Sequence, residues 1–287
     1  MLVKFFPPQL NSKSFNRHLF KPKVTFKYKS EVVSAITIVA VIVIIFSSLF
    51  FYTGNWPPAV IVESSSMQHG NNFVFGVINT GDIVGVKKAQ SFTSIQTYLV
   101  AREHGSPTTY GEYGNVIIYK NYELGELVIH RAMFYVMGWN GTTPIIYGNT
   151  HPSWLLIQGS DVYISNVGYS HKNLEVQLQN YIGQTGFITM GDHNFATSTY
   201  GSGKYTIAAD QNYGIDNTLV NETQVFGYAV GYLPILGVLK VWGTSDRVYI
   251  PELSNLAMIV IIIAVIAIAI APFPSVRTGK KQDKNRR

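Results

Sequence analysis

The sequence predicts a mainly β domain held between one N-terminal and one C-terminal transmembrane helix. Two long uncharged stretches lie near the ends of the 287-residue chain, of which 47% is hydrophobic and only 13% charged. Soluble domains contain about 25% charged residues. Between the two stretches, short β-branched and aromatic runs alternate with Gly, Asn, Asp and Ser, a pattern typical of strands joined by turns.

The first uncharged stretch predicts a membrane helix over residues 32–52. A helix of this length would span about 31 Å, which is one hydrocarbon thickness. A lone segment in lipid can satisfy its backbone hydrogen bonds only as a helix. A cleaved signal peptide is the alternative, but both the basic lead-in and the apolar run are longer than such a peptide needs.

A second span is predicted over residues 253–273, where a buried core helix is the alternative. Seven of the 22 Lys and Arg residues lie in the basic tail 1–31, and six lie in the basic tail 274–287. The positive-inside rule then places both tails in the cytoplasm. Residues 53–252 are therefore expected on the outer face of the cell membrane, in a two-span protein whose first partner is the lipid bilayer.

The composition of residues 53–252 excludes several classes of protein. This region holds nine Lys and Arg against 14 Asp and Glu, so no nucleic-acid partner is expected. The absence of cysteine excludes disulfides, thiolate zinc sites and cysteine nucleophiles. The seven histidines show no paired spacing and no cofactor motif occurs, so neither a metal site nor a cofactor is predicted.

Short apolar runs in the central region predict nine strands and one helix. The helix is expected over residues 88–103. The strands are expected over residues 59–62, 73–77, 83–87, 115–119, 127–130, 144–147, 154–158, 186–190 and 225–230.

Five sequence blocks carry the functional signal. They are VIVESSSMQHG (60–70), NTGDIVGV (79–86), GELVIHRAM (125–133), ITMGDHN (188–194) and VFGYAVGYLPILGVL (225–239). In this order, after an apolar N-terminal helix, they resemble type I signal peptidases of the archaeal and ER-type branch. The matched positions are Ser64-Ser65-Ser66-Met67, Gly81-Asp82, His130-Arg131, Gly191-Asp192-His193-Asn194, and Gly227, Gly231, Pro234 and Gly237.

The resemblance implies a signal-peptidase-like serine endopeptidase that cleaves signal peptides from exported preproteins after small residues. In it, Ser66 is the nucleophile and His130 the general base, a role that suits histidine because its ordinary pKa is about 6.5. The Ser66 backbone N–H and the Ser64 hydroxyl would bind the oxyanion. Asp210 is expected to orient His130, and Asp192 to hold the loops of the site together.

The chain departs from the family pattern in three places. His69 stands where a proline usually follows the nucleophile. The acid expected shortly after Gly-Asp is missing, and the next one is Asp210, which would fit if residues 197–209 form an inserted hairpin. Residues 134–186 exceed what short members need and predict an inserted β subdomain.

Several assignments remain open from the sequence. Lys120 could replace His130 as the base, His69 is the main rival histidine, and Asp216 is a third candidate acid. Asp82 is expected to be a turn residue.

Extended substrate is expected to bind by strand addition along exposed apolar strands, with Val60, Val62, Met67 and Ile83 at the substrate site. Signal peptides are the expected partners, with the protein-export channel as a further one. The main alternative is a non-enzymatic surface or envelope assembly protein with two membrane anchors. A relative specialised for one substrate class, with residues 134–186 as its recognition element, is another.

Overall fold

The computed structural model describes residues 29–244 and 249–270. Most of both predicted basic tails, and residues 271–273 of the predicted second span, lie outside these ranges. In chain order the elements are α1 (Lys29–Thr53), β1 (Ala59–Ile61), β2 (Ile83–Lys87), α2 (Tyr98–Glu103), β3 (Val116–Asn121), β4 (Glu126–Asn140), β5 (Thr143–Ile146), β6 (Leu155–Gln158), β7 (Asp161–Val167), β8 (Lys172–Gln177), β9 (Gly186–Met190), α3 (Asp192–Thr197), β10 (Thr206–Ile207), β11 (Val225–Leu233), α4 (Val238–Trp242) and α5 (Glu252–Ile270).

Two helices are long and apolar enough to cross a membrane, over Val32–Thr53 of α1 and over α5. Their side chains are largely exposed, as expected for helices whose apolar surface faces something other than a protein core. The prediction of two apolar helices near the ends of the chain is therefore confirmed. The chain divides into two units inside α1, at Ile45, and the second unit holds every described strand.

The larger sheet has seven strands in the order β1-β2-β11-β3-β4-β5, with β9 also paired to β4. Strand β4 is 15 residues long, and β3 pairs with its first half while β9 and β5 pair with its second. Seven consecutive residues of β4, from His130 to Val136, are buried. A strand covered on both faces can hold polar groups such as His130 out of water only if they are paired.

A second sheet of four strands has the order β10-β8-β7-β6. Its buried side chains, including Ile164 and Leu174, share one hydrophobic cluster with Phe134 and Ile188 of the larger sheet. The interval 134–186 therefore contributes to both sheets: its first part completes β4 and β5, and its middle forms β6, β7 and β8. Strands β7, β8 and β10 are not among the predicted strands. Strand β10 has only two residues, and β7 and β8 carry polar residues between their few apolar ones.

Two predicted elements are wrong. No strand forms over residues 73–77, because the Asn79 side chain bonds the backbone groups of Val74 and Val77 that a sheet ladder would need. The predicted helix over residues 88–103 reduces to α2, preceded by a short 3₁₀ turn at Phe92–Ser94. There the Ser94 hydroxyl accepts the N–H groups of Gln90 and Ser91, and α2 begins only after Thr97, whose side chain caps it.

Candidate active site

The Ser66 turn follows β1 and is anchored from both sides of the serine. The Met67 side chain is 1% exposed and packs into a core cluster with Ile78 and Val84. The Ser66 carbonyl accepts the backbone N–H of His193 at 2.8 Å. The Ser66 Oγ lies 3.1 Å from the Ser64 Oγ, so the two hydroxyls share a hydrogen bond. The turn therefore presents two serine hydroxyls side by side.

His130 and Asp210 form a buried pair. The His130 Nδ1 lies 2.6 Å from the Asp210 Oδ2, and the two residues are 3% and 0% exposed. Strand β4 supplies His130, and the Asp210 backbone N–H donates to the Thr189 carbonyl at the end of β9. This short, buried hydrogen bond fixes which way the imidazole ring points.

The serine turn and the histidine meet at Gly191. A Cβ added there would lie 2.8 Å from the Ser66 carbonyl oxygen, 2.9 Å from the His130 Nε2 and 3.0 Å from the Asn194 Nδ2. The His130 Nε2 and the Ser66 carbonyl therefore both lie against Gly191, where any larger residue would collide with them. Among the described residues, no hydrogen bond joins the Ser66 Oγ to His130, since that hydroxyl is turned toward Ser64.

A groove of about 820 Å³ opens over these residues, and Ser64, Ser66, His130 and Asn194 are among those that line it. Its walls are β1 and the first half of β4, with an apolar lining that includes Val60, Ile61, Leu127 and Ile129. Glu63 and Lys240, which form an exposed salt bridge, also line it. Strand β1 is an edge strand that pairs only with β2 among the described strands, so it offers unpaired backbone groups.

Asp192 belongs to a different network. Its carboxylate binds Arg131 through two bonds, at 2.8 Å to Nε and 2.6 Å to NH2, and it receives the His69 Nε2 at 3.2 Å. The Arg131 NH1 in turn donates to backbone carbonyls of residues 109–114. Burial opposes the charge of Asp192, but Arg131 and His69 outweigh it and hold the pKa of this carboxyl below its usual value. Asp192 joins the Ser66 turn, strand β4 and helix α3 through its side-chain contacts with His69 and Arg131.

Asp216 lies beside the His130–Asp210 pair. The Tyr119 hydroxyl donates to the Asp210 Oδ2 at 3.1 Å, and the Asn121 amide donates to the Asp216 Oδ1 at 3.1 Å. Burial, together with the nearby charge of Asp210, raises the pKa of Asp216 to about 6. One oxygen of each carboxylate, Oδ1 of Asp210 and Oδ2 of Asp216, is buried with no hydrogen-bond partner among the described residues.

The other predicted residues lie in varied places. Asp82 accepts the backbone N–H groups of Asn79 and Ile235, which is a turn role. Lys120 is exposed and lies over the Tyr122 ring, and it is not among the described residues lining the groove.

Of the predicted substrate contacts, only Val60 lines the groove. Val62 and Met67 are each 1% exposed and pack in the core, and Ile83 lies on β2, outside the described groove lining.

Sequence reasoning assigned no role in the site to Asn194, Arg131 or Tyr119. Asn194 and Arg131 lie inside the recognised blocks, so their chemistry could have been considered there. Tyr119 had no signal in the sequence, since its contact with Asp210 is created only by the fold.

Neither a metal-binding cluster among the described residues nor a similar known sequence assigns a role to this site. Within residues 29–244 and 249–270, no group of three or more His, Asp or Glu side chains is placed to hold a metal ion. No protein-family model and no curated protein sequence matches the chain.

Proposed function

We propose that this chain is a membrane-bound serine endopeptidase that removes N-terminal signal peptides from exported preproteins. One observation carries the proposal. His130, buried and paired with Asp210 at 2.6 Å, lines the same groove as Ser66, and its Nε2 lies at Gly191 beside the Ser66 carbonyl. That arrangement supplies a nucleophile, a base and an orienting acid at one place, which is what peptide-bond hydrolysis requires.

The chemistry follows from the orientation of the histidine ring. The Nδ1–H donates to Asp210, so the Nε2 is left with a lone pair facing Gly191 and the groove. Rotation of the Ser66 side chain away from Ser64 brings its hydroxyl toward that nitrogen, a tightening that commonly accompanies substrate binding. The Ser66 Oγ attacks the peptide carbonyl while its proton moves to His130, which later delivers it to the leaving amine.

The oxyanion would be held by the turn itself. The Ser66 backbone N–H donates to no acceptor among the described residues, so it is available for the developing negative charge. The Ser64 hydroxyl, 3.1 Å from the Ser66 Oγ, is a second donor once Ser66 has turned away. Fixed donors of this kind lower the barrier because they need no reorganisation during the reaction.

The groove supports an extended, apolar substrate. A peptide added along edge strand β1 would run past Ser64 and Ser66 with alternate side chains facing the apolar wall. Helix α1 ends at Thr53, few residues before Ser66, so a membrane-spanning α1 would keep the nucleophile close to the bilayer surface. A signal peptide has its apolar core in the bilayer and its cleavage region at that surface.

The proposed location is the cell membrane, with both termini in the cytoplasm and residues 53–252 outside. The 13 cations in the two tails support this orientation. Protease added to intact cells is expected to reach the central region and to spare both tails. Removal of the C-terminal basic tail from outside would overturn the second span and leave a protein that crosses the membrane once.

A non-enzymatic envelope protein is the competing proposal. Such a protein has no need for a buried His–Asp pair beside a groove and a serine turn. Without a catalytic role, the burial of these two polar side chains would only cost desolvation energy. The pair is therefore better explained by catalysis.

The decisive test is cleavage of a purified preprotein by the full-length protein in detergent. We expect Ser66→Ala to abolish cleavage without lowering the melting temperature. Ser65→Ala is the matched control, because that side chain makes no described hydrogen bond, and it should keep normal turnover. Ser64→Ala should be slower by about 100-fold, as for loss of one oxyanion donor. Near-normal turnover in Ser66→Ala would overturn the proposal.

A further inference from the structure

The turn between β7 and β8 of the second sheet touches the Ser66 turn. The Tyr169 ring stacks on the His69 ring, with centroids 4.1 Å apart and planes at 24°. The Tyr169 hydroxyl lies 3.4 Å from the Gln68 carbonyl oxygen, a long hydrogen bond. A residue of the second sheet thus contacts the two residues that follow Met67.

His69 is enclosed on three sides. Tyr169 covers one face of the ring, the Asp192 Oδ2 takes its Nε2 at 3.2 Å, and Gly111 closes the Cε1 edge, where an added Cβ would come within 2.7 Å. The His69 side chain is only 10% exposed. Removal of the Tyr169 ring would therefore open one wall of an otherwise closed site and free the imidazole to rotate.

The position of His69 bears on the serine through the backbone. On one side of the turn, the Gln68 Oε1 accepts both the N–H and the hydroxyl of Thr80, at 3.0 and 2.7 Å. On the other side, His69 reaches Asp192, and the neighbouring His193 N–H holds the Ser66 carbonyl at 2.8 Å. The Ser66 turn is consequently clamped between two anchors, and the second of them includes the contact of the His69 ring with Asp192.

The second sheet also holds α3, which carries Asp192 and Asn194. The Lys172 Nζ, at the start of β8, donates to the Ala196 carbonyl at 2.6 Å and to the Ser198 carbonyl at 3.0 Å. These bonds satisfy carbonyls at the C-terminal end of the helix. The β7–β8 turn, with the first residue of β8, therefore contacts both the serine turn and the helix that follows Gly191.

We propose that Tyr169 is a positioning residue for the Ser66 turn, and that it acts through the ring of His69. The inference rests on the proposed peptidase function and gives the second sheet a purpose: it stiffens the nucleophile turn where this chain carries His69. Tyr169 lines none of the groove that the structure describes, so it touches no substrate there. Its effect should fall on turnover and not on substrate binding.

The first experiment compares two Tyr169 variants in the preprotein cleavage assay. Tyr169→Ala should lower kcat about 10-fold with KM changed less than about twofold, because a misplaced nucleophile slows the chemical step. Tyr169→Phe should keep near-normal kcat, since the ring stack remains and only the long hydroxyl contact is lost. A low kcat in Tyr169→Phe, or a rise in KM alone in Tyr169→Ala, would overturn the inference.

Tyr163→Ala is the matched control. Tyr163 lies on β7 of the same sheet and packs against Tyr205 with ring centroids 4.9 Å apart, yet it makes no described contact with the Ser66 turn. It should lower the melting temperature as much as Tyr169→Ala does while leaving kcat unchanged. An equal loss of kcat in both variants would mean that the second sheet acts only through general stability.

The path through His69 is tested by a double-mutant cycle. The loss in kcat for His69→Ala with Tyr169→Ala should match that of either single variant, because both remove the same anchor. Losses that multiply would show that Tyr169 acts by another route.

Hydrogen exchange separates this inference from the proposed function. Backbone amides of residues 64–70 should exchange faster in Tyr169→Ala than in the wild type or in Tyr163→Ala, whether or not the protein cleaves preproteins. Unchanged exchange would overturn the inference by itself. Absence of Ser66-dependent cleavage in the wild-type protein would instead overturn the peptidase function.

Discussion

Two histidine–aspartate pairs lie close to the Ser66 turn, and they differ in what surrounds the acid. In the His130–Asp210 pair, the aspartate has no basic side chain beside it among the described contacts, and its Oδ1 is left without a partner. In the His69–Asp192 pair, the aspartate is already bound twice by Arg131. The first pair is 2.6 Å long and the second is 3.2 Å.

The difference shows how the surroundings decide the role of the same two residue types. Asp192 is bound by the Arg131 guanidinium as well as by His69, so it serves as a joint between loops. Asp210 can stabilise positive charge that develops on His130 when it takes a proton. Only the His130 ring opens onto the groove that contains Ser66, whereas His69 is closed in by Tyr169.

The largest expected effect separates the two histidines. His130→Ala should lose turnover by about 10⁵-fold or more, because the base and the nucleophile act as a unit. His69→Ala should lose only about 10-fold, the same as Tyr169→Ala. Steady-state cleavage of a preprotein measures both. Activity in His130→Ala combined with inactivity in His69→Ala would exchange the two assignments.

The second comparison replaces each aspartate by asparagine. Asp210→Asn should lower turnover by about 10⁴-fold at a nearly unchanged melting temperature, because asparagine holds the wrong histidine tautomer. Asp192→Asn should instead destabilise the fold by about 3–5 kcal/mol, since Arg131 is left buried and unpaired. Turnover and thermal unfolding are measured on the same samples.

Two other outcomes of that comparison would change the assignment. A stable but inactive Asp192→Asn, with an unstable Asp210→Asn, would reverse the roles. A fully active Asp210→Asn would leave a Ser–His dyad.

A smaller effect is expected from Gly191→Ala. The added methyl would press on the Ser66 carbonyl and the His130 Nε2, both within 3 Å, and shift one of them. We expect turnover to fall about 10- to 100-fold. Gly138→Ala, where an added Cβ meets nothing within 4 Å, is the control and should keep normal turnover. Equal activity of the two variants would show that Ser66 and His130 do not need this gap.

The smallest effect concerns Asp216 and stability. Because burial raises the pKa of Asp216 to about 6 in the folded protein, the folded state binds this proton more tightly than the unfolded state, whose ordinary value is 3.8. The contribution of Asp216 to the free energy of unfolding is therefore present at low pH and is lost as the pH rises from about 4 to about 6.

Asp216→Asn removes the fall in the free energy of unfolding that occurs as Asp216 loses its proton. The variant should melt at the wild-type temperature near pH 4 and about 2 °C above it near pH 8, with the cleavage rate little changed. Differential scanning calorimetry at the two pH values measures the difference. A variant that is less stable near pH 8 would mean that the charge of Asp216 is needed by the fold.

Local sequence patterns predicted those strands and helices whose formation depends mainly on residues close by in the chain. Runs of β-branched residues marked β2 and β9 at their observed bounds, and the lack of charge marked both apolar helices. Prediction failed where side chains compete for backbone groups, as Asn79 does over residues 73–77. The pattern also does not tell which way Val62 and Met67 face, because an apolar side chain near a site can face either the core or the groove, and both are buried in a core cluster.

The sequence by itself determined the two apolar helices, the mainly β character of the region between them and the residue types at Ser66 and His130. Only the tertiary structure decided which acid meets which histidine. Asp210 stands 80 positions after His130, and Asp192 stands 123 positions after His69. Strand register selects such partners, because β4 places the adjacent residues His130 and Arg131 in different surroundings. Register in turn depends on contacts between strands, which no local sequence pattern contains.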